Sequence, residues 1–200
     1  MRTISGLLLV IALGFGVWFL LFKDKDDVIA EKQQPLNVSK HTTEFNKSID
    51  AVVDNYLTLK EAFVNADTLQ IKQDVKKLSG SLDSVKMDEL KNDTSGIYQS
   101  AQVIIGDIRS NAEAIIAEKD ITEMRQDFRM ISENLFPFLK TIGYHGKKLY
   151  WQNCPMAFGE DKDASWLSST EKIVNPYMGK NHPEFKGTML HCGLIKDTIQ

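Results

Sequence analysis

"FNKSIDAVVDNYLTLKEAF", residues 45–63, decides how this chain folds. Its apolar residues Phe45, Ile49, Val52, Tyr56, Leu59 and Phe63 recur at steps of three or four, the period of a helix with one buried face. Outward from this stretch the same period returns three times. Asp67 is placed to cap a second helix whose stripe is Ile71, Val75, Leu78 and Leu82. After a polar link over about residues 84–95, a third helix carries Ile97, Ala101, Ile104, Ile108, Ala112 and Ile115. A fourth opens at "DITE", where Asp120 and Glu123 have capping-box spacing, and continues with Ile121, Met124, Phe128, Ile131, Leu135 and Phe138. Pro137 is expected to kink or loosen its last turn. Met124 and Met130 read as packing residues. Four amphipathic helices joined by short links bury their stripes against one another, so residues 41–143 are expected to form an antiparallel four-helix bundle.

On the N-terminal side, Ile4–Phe22 runs without a charge, and a run of ~20 apolar residues spans the ~30 Å core of a bilayer. "FKDKDD" follows with no small-residue cleavage pattern, so residues 1–23 read as an uncleaved transmembrane anchor. Arg2 and the amino terminus favour the cytoplasm, which places everything after residue 23 outside it. Residues 24–40, polar with one proline, read as a flexible linker.

A net charge of −3 and a pI near 5.8 leave no basic excess to track a phosphate backbone, so nucleic acid is not an expected partner. No P-loop, His-Glu-x-x-His, Cys-x-x-Cys or Gly-x-Ser-x-Gly stretch occurs, and the carboxylates fall on solvent-facing helix positions; the chain does not read as an enzyme.

After Gly143 the helical period stops, and residues 144–200 form a C-terminal subdomain too short to hold a strong core alone. It is expected to pack on the bundle. "KLYWQNC" (148–154) and "TMLHCGLI" (188–195) read as short extended segments that pair as two strands. Ser168 and Glu171 have capping-box spacing for a short helix ending near "NPY", residues 175–177. Trp151, Trp166, Tyr150 and Tyr177 supply an apolar wall.

The tail also holds both cysteines of the chain. Cys154, Met156, Met189 and Cys192 are soft ligands, and thiolate with thioether selects Cu(I) above hard ions. Cys154 and Met156 flank Pro155, while Met189 and Cys192 stand three apart, so two facing turns would present the four sulfurs together. His191 adjoins Cys192 and joins the candidate metal set, although a ring beside a ligand points away from it as readily as towards it. A Cys2His2 zinc site from Cys154, His182, His191 and Cys192 is the lesser alternative, because the spacing matches no common zinc-finger pattern. The competing reading is a Cys154–Cys192 disulfide, closing a loop of roughly 40 residues and worth ~3–4 kcal/mol. Met178 reads as a packing residue, and His41, His145 and His182 as surface residues.

"CPMAFGEDKDASWLSSTEKIVNPYMG" followed by "MLHCG" resembles a bacterial family of unknown function with Cys-Pro-Met-Ala, Asn-Pro-Tyr and Met-Leu-x-Cys-Gly motifs. The resemblance extends back through "DNYLTLKEAFVNAD" and "MRQDFRMISENLF", covering about residues 45–199. Members stand alone or are fused to periplasmic adaptor subunits of heavy-metal (copper/silver) efflux pumps. The resemblance implies a periplasmic domain on a single-pass inner-membrane anchor, efflux components as partners, and Cys154, Met156, Met189 and Cys192 as the metal-holding positions. The stretch "KNHPEFKGT" lengthens the link between Asn-Pro-Tyr and Met-Leu relative to some members. If the cysteines instead form a disulfide, the domain is an interaction module that docks on an envelope or efflux complex.

Overall fold

The computed structural model describes residues 41–93 and 95–200; the expected anchor (1–23) and linker (24–40) lie outside the described residues. The protein is mainly helical, with a small antiparallel sheet near its C-terminus. Helices α1 (Thr43–Asn65), α2 (Thr68–Asp83), α3 (Ile97–Ala117) and α4 (Ile121–Thr141) follow one another, with a 3-10 helix, Met87–Asn92, in the α2–α3 link. None of the described helices is long and apolar enough to cross a membrane.

The caps explain the boundaries. The Thr42 hydroxyl accepts the Phe45 N–H, the Asp67 carboxylate accepts that of Gln70, and Asp120 accepts those of Thr122 and Glu123. Each satisfies orphan donors of a first turn. Helix α1 ends on Ala66 at φ 56°, whose N–H turns back to the Ala62 and Phe63 carbonyls.

The expected stripes of α1 and α2 are buried throughout and join those of α3 and α4 in one core. In α3 the core-facing residue is Ile105 rather than Ile104, because Ala101, Ile105, Ile108, Ala112 and Ile115 keep the four-three alternation while Ile104 falls on the flank. Met130 is exposed rather than packed: in α4 the buried face passes through Phe128, Ile131 and Ser132. Helix α4 continues through Pro137 to Thr141.

The tail contains three strands where two were expected: β1 (Leu149–Cys154), β2 (Ala164–Ser168) and β3 (Leu194–Ile199), in the order β2-β1-β3. "KLYWQNC" supplies the central strand. "TMLHCGLI" does not form one strand: it stays in turns through Cys192 and extends only from Leu194. Gly193 forces the division, since its φ of 145° favours glycine and a Cβ there would lie 2.9 Å from the Asn153 carbonyl oxygen. The missed strand is "ASWLS", buried at every position and so without the alternation that reveals a half-exposed strand. No helix follows Ser168; it closes β2, and its hydroxyl accepts the Thr170 N–H. Residues 169–193 form an irregular strap from β2 to β3.

The sheet meets the helices through aromatic stacking and a buried relay. Trp151 stacks on Phe136 of α4 with ring centroids 4.4 Å apart. The Leu167 N–H donates to the Tyr56 hydroxyl (3.1 Å); Tyr56 in turn meets Ser132 (2.7 Å), whose hydroxyl donates to the Phe128 carbonyl (2.9 Å).

Candidate functional site

Cys154 is the last residue of β1, opposite Ala164 of β2, and is fully buried. The strand end is held by Asn153, whose amide donates to the Asp163 carboxylate (2.9 Å), the Ala164 carbonyl (3.2 Å) and the Ser165 hydroxyl (2.9 Å). The chain then turns at Pro155 and Met156.

Cys192 lies 38 positions further on, half-buried, in a turn closed by its N–H on the Met189 carbonyl (2.9 Å). The two sulfurs are 2.7 Å apart and both are free thiols. Burial, reinforced by the neighbouring Cys192 sulfur, pushes the Cys154 thiol well up from its ordinary value. Cys154 is therefore a neutral thiol until a metal or an oxidant takes its proton.

Each cysteine shares its turn with one methionine. Met156 is exposed and Met189 half-buried. The His191 ring is exposed and its Nδ1 meets the Ile173 carbonyl at 2.7 Å, which ties the imidazole to the strap. His182 is half-buried rather than a free surface residue, and its Nδ1 accepts the N–H groups of Glu184 and Phe185 at 3.2 Å. Among the described residues no three or more His, Cys, Asp or Glu side chains converge as a metal site. The Cys2His2 set is thus not assembled, and a shell on the cysteines would need thioethers to complete it.

Of the four residues expected to form an apolar wall, Trp166 and Tyr177 are fully buried, with ring centroids 5.9 Å apart, while Tyr150 and Trp151 are half-buried. Met178 is buried as a packing residue. Away from this site, His41 is half-buried rather than on the surface: it bridges Glu89 (2.8 Å) and the Ile142 carbonyl (2.7 Å).

Two buried polar residues of the tail contact went unread in the sequence. Asn175 is wholly enclosed beside the cysteines, and its only sequence signal is the proline that follows it. Arg125 is buried in α4 beside Met124 of the apolar stripe, and a Cβ on Gly179 would lie 3.3 Å from its guanidinium. Burial lowers its pKa to about 10. A helical period cannot flag a buried arginine, because it ranks positions by hydrophobicity.

A helical domain whose irregular tail brings two distant thiols together is what fold and site define. Residues 52–147 match the family described as "Protein of unknown function (DUF3347)", a stretch that covers most of the helices and stops short of Cys154. No curated protein and no solved structure matches the chain.

Proposed function

We propose that the protein binds a soft metal ion, Cu(I) above all, as a membrane-anchored domain outside the cytoplasm that takes part in copper handling or heavy-metal efflux. The scaffold in this reading is an antiparallel four-helix bundle, and the anchor is the charge-free run Ile4–Phe22. The observation that carries the reading is the meeting of Cys154 and Cys192, each on a turn that also bears a methionine.

Two thiolates supply charge and softness, and Met189 and Met156 complete a three- or four-coordinate shell without adding charge. Metal–thiolate bonds of about 2.3 Å, the value for zinc, set two ligating sulfurs farther apart than 2.7 Å, so the pair opens to load. Release proceeds by ligand exchange to the sulfur groups of an efflux partner. Zinc is the lesser cargo.

The test is a Cu(I) competition titration of wild type, Cys154→Ser and Met189→Leu, with His191→Ala beside them. Loss of binding in Cys154→Ser, weaker binding in Met189→Leu and little change in His191→Ala support the site. Undiminished binding by Cys154→Ser removes it.

The sulfur contact also favours a second reading, in which a Cys154–Cys192 disulfide staples the tail and the domain serves as a docking module for an envelope or efflux complex. A thiol count on the metal-free protein before and after reduction separates the two.

A further inference from the structure

Asn175 sits in the strap and is fully buried. Its Nδ2 donates to the Cys192 carbonyl at 3.0 Å. Its Oδ1 accepts the N–H groups of Tyr177 (2.8 Å) and Met178 (3.0 Å). Its main-chain N–H donates to the Leu190 carbonyl (2.8 Å), and its carbonyl accepts the Gly179 N–H (2.9 Å).

One residue therefore grips the Met189–Cys192 turn at two carbonyls, Leu190 and Cys192. The strap is anchored to the sheet independently of it. The Tyr177 hydroxyl donates to the Ser165 carbonyl (2.7 Å), and the Gln152 amide donates to the Thr170 carbonyl (2.9 Å). If Asn175 served only to form its local turn, the Oδ1 contacts would suffice. The Nδ2 donor adds nothing to that turn and reaches the Cys192 carbonyl instead.

We propose that Asn175 is the positioning residue of the sulfur pair, its amide fixing where Cys192 stands relative to Cys154 and so how well the two thiols act together. The inference rests on the functional reading of the pair but is measurable without metal.

The experiment uses the full chain equilibrated with oxidised and reduced glutathione. Two protein thiols pass two electrons and two protons to oxidised glutathione, which leaves as two reduced molecules, and the Cys154–Cys192 bond forms. The equilibrium reports the effective concentration of one thiol at the other. Asn175→Ser keeps an acceptor for the turn and removes the amide. It is expected to lower that effective concentration, and the Cu(I) affinity with it, by about tenfold or more, because both depend on prior alignment. Asn175→Asp, which keeps Oδ1, serves the same purpose if the serine variant does not fold. Tyr177→Phe releases a different tie of the strap and is expected to leave the effective concentration unchanged.

Wild-type values in either folded Asn175 variant overturn the proposal, as does an equal fall in Tyr177→Phe, which would make the effect one of strap loosening in general. Failure of the wild type to hold Cu(I) removes the metal reading alone, since the glutathione equilibrium still decides on Asn175.

Discussion

In the helices a regular apolar stripe does the folding, and in the tail a handful of polar contacts does it. Helices α1–α4 bury a long set of mostly Val, Ile, Leu and Phe residues, in which Lys60, Asp74, Ser81, Arg125 and Ser132 are the polar members. Residues 144–200 bury Gln152, Asn153, Ser165, Ser168 and Asn175 beside Trp166 and Tyr177. Area burial is non-directional and tolerates small shifts, whereas a buried amide must meet its partners at fixed distances. The helical part is thus suited to be scaffold, and the tail to hold two thiols in a set relation.

The largest expected effect lies where the two regions meet. Phe128 contacts Tyr56 (5.4 Å between centroids), Phe63 (4.5 Å) and Tyr177 of the tail (5.9 Å). Phe128→Ala should cost about 3–5 kcal/mol in denaturant unfolding. It should also unfold both regions in one transition, because the described helices and tail fall in one compact unit. Two separate transitions would break the picture of a tail seated on the helices.

Next in size is the thiol pair. If it is oxidised, the cross-link should add about 3–4 kcal/mol of stability that a reductant removes, and that Cys154→Ser lacks from the start. A midpoint indifferent to reductant would leave the polar contacts as the tail's whole support.

Tyr56→Phe tests the relay between the regions. It leaves the buried Leu167 N–H without an acceptor while changing little volume, so a loss of about 1–3 kcal/mol is expected. A loss within error would show that the sheet is held by stacking alone.

The smallest effect is electrostatic. The Asn153 amide holds the Asp163 carboxyl below the usual carboxylate range, and the Lys140 ammonium does the same for Asp197. Since both groups take up protons more readily when unfolded, their contribution is present above the unfolded value of about 4 and is lost as pH falls through the lower folded values. Both side chains are substantially exposed, so each contributes about 0.2–1 kcal/mol. Unfolding of wild type against Asp163→Asn/Asp197→Asn at pH 7 and pH 3 should show the gap closing in acid.

How far the sequence could be read follows from the same contrast. The stripes from Phe45 to Phe138 and the caps at Asp67 and Asp120 announce four helices, because burial on one face forces a period that neighbouring residues must share. The slips there are local: Ile104 for Ile105 is a rotation of one position, and Met130, read as a packing residue, is exposed. In the tail the reading of strand β1 agrees with the structure, whereas β2 was invisible because a strand covered on both faces has no alternation. Ser168 and Glu171 had the spacing of a capping box, yet residue 168 was already committed to the sheet ladder opposite Tyr150.

By itself, then, the sequence determined the helices, the place where their period ends, and the concentration of sulfur beyond it, since each depends on residues close together in the chain. Only the tertiary structure decided that Cys154 and Cys192 touch, that His191 is tied to Ile173 instead, and that Asn175 holds the Cys192 carbonyl. Those relations join segments many residues apart through single hydrogen bonds, and no local period or spacing encodes a contact that only a folded strap can make.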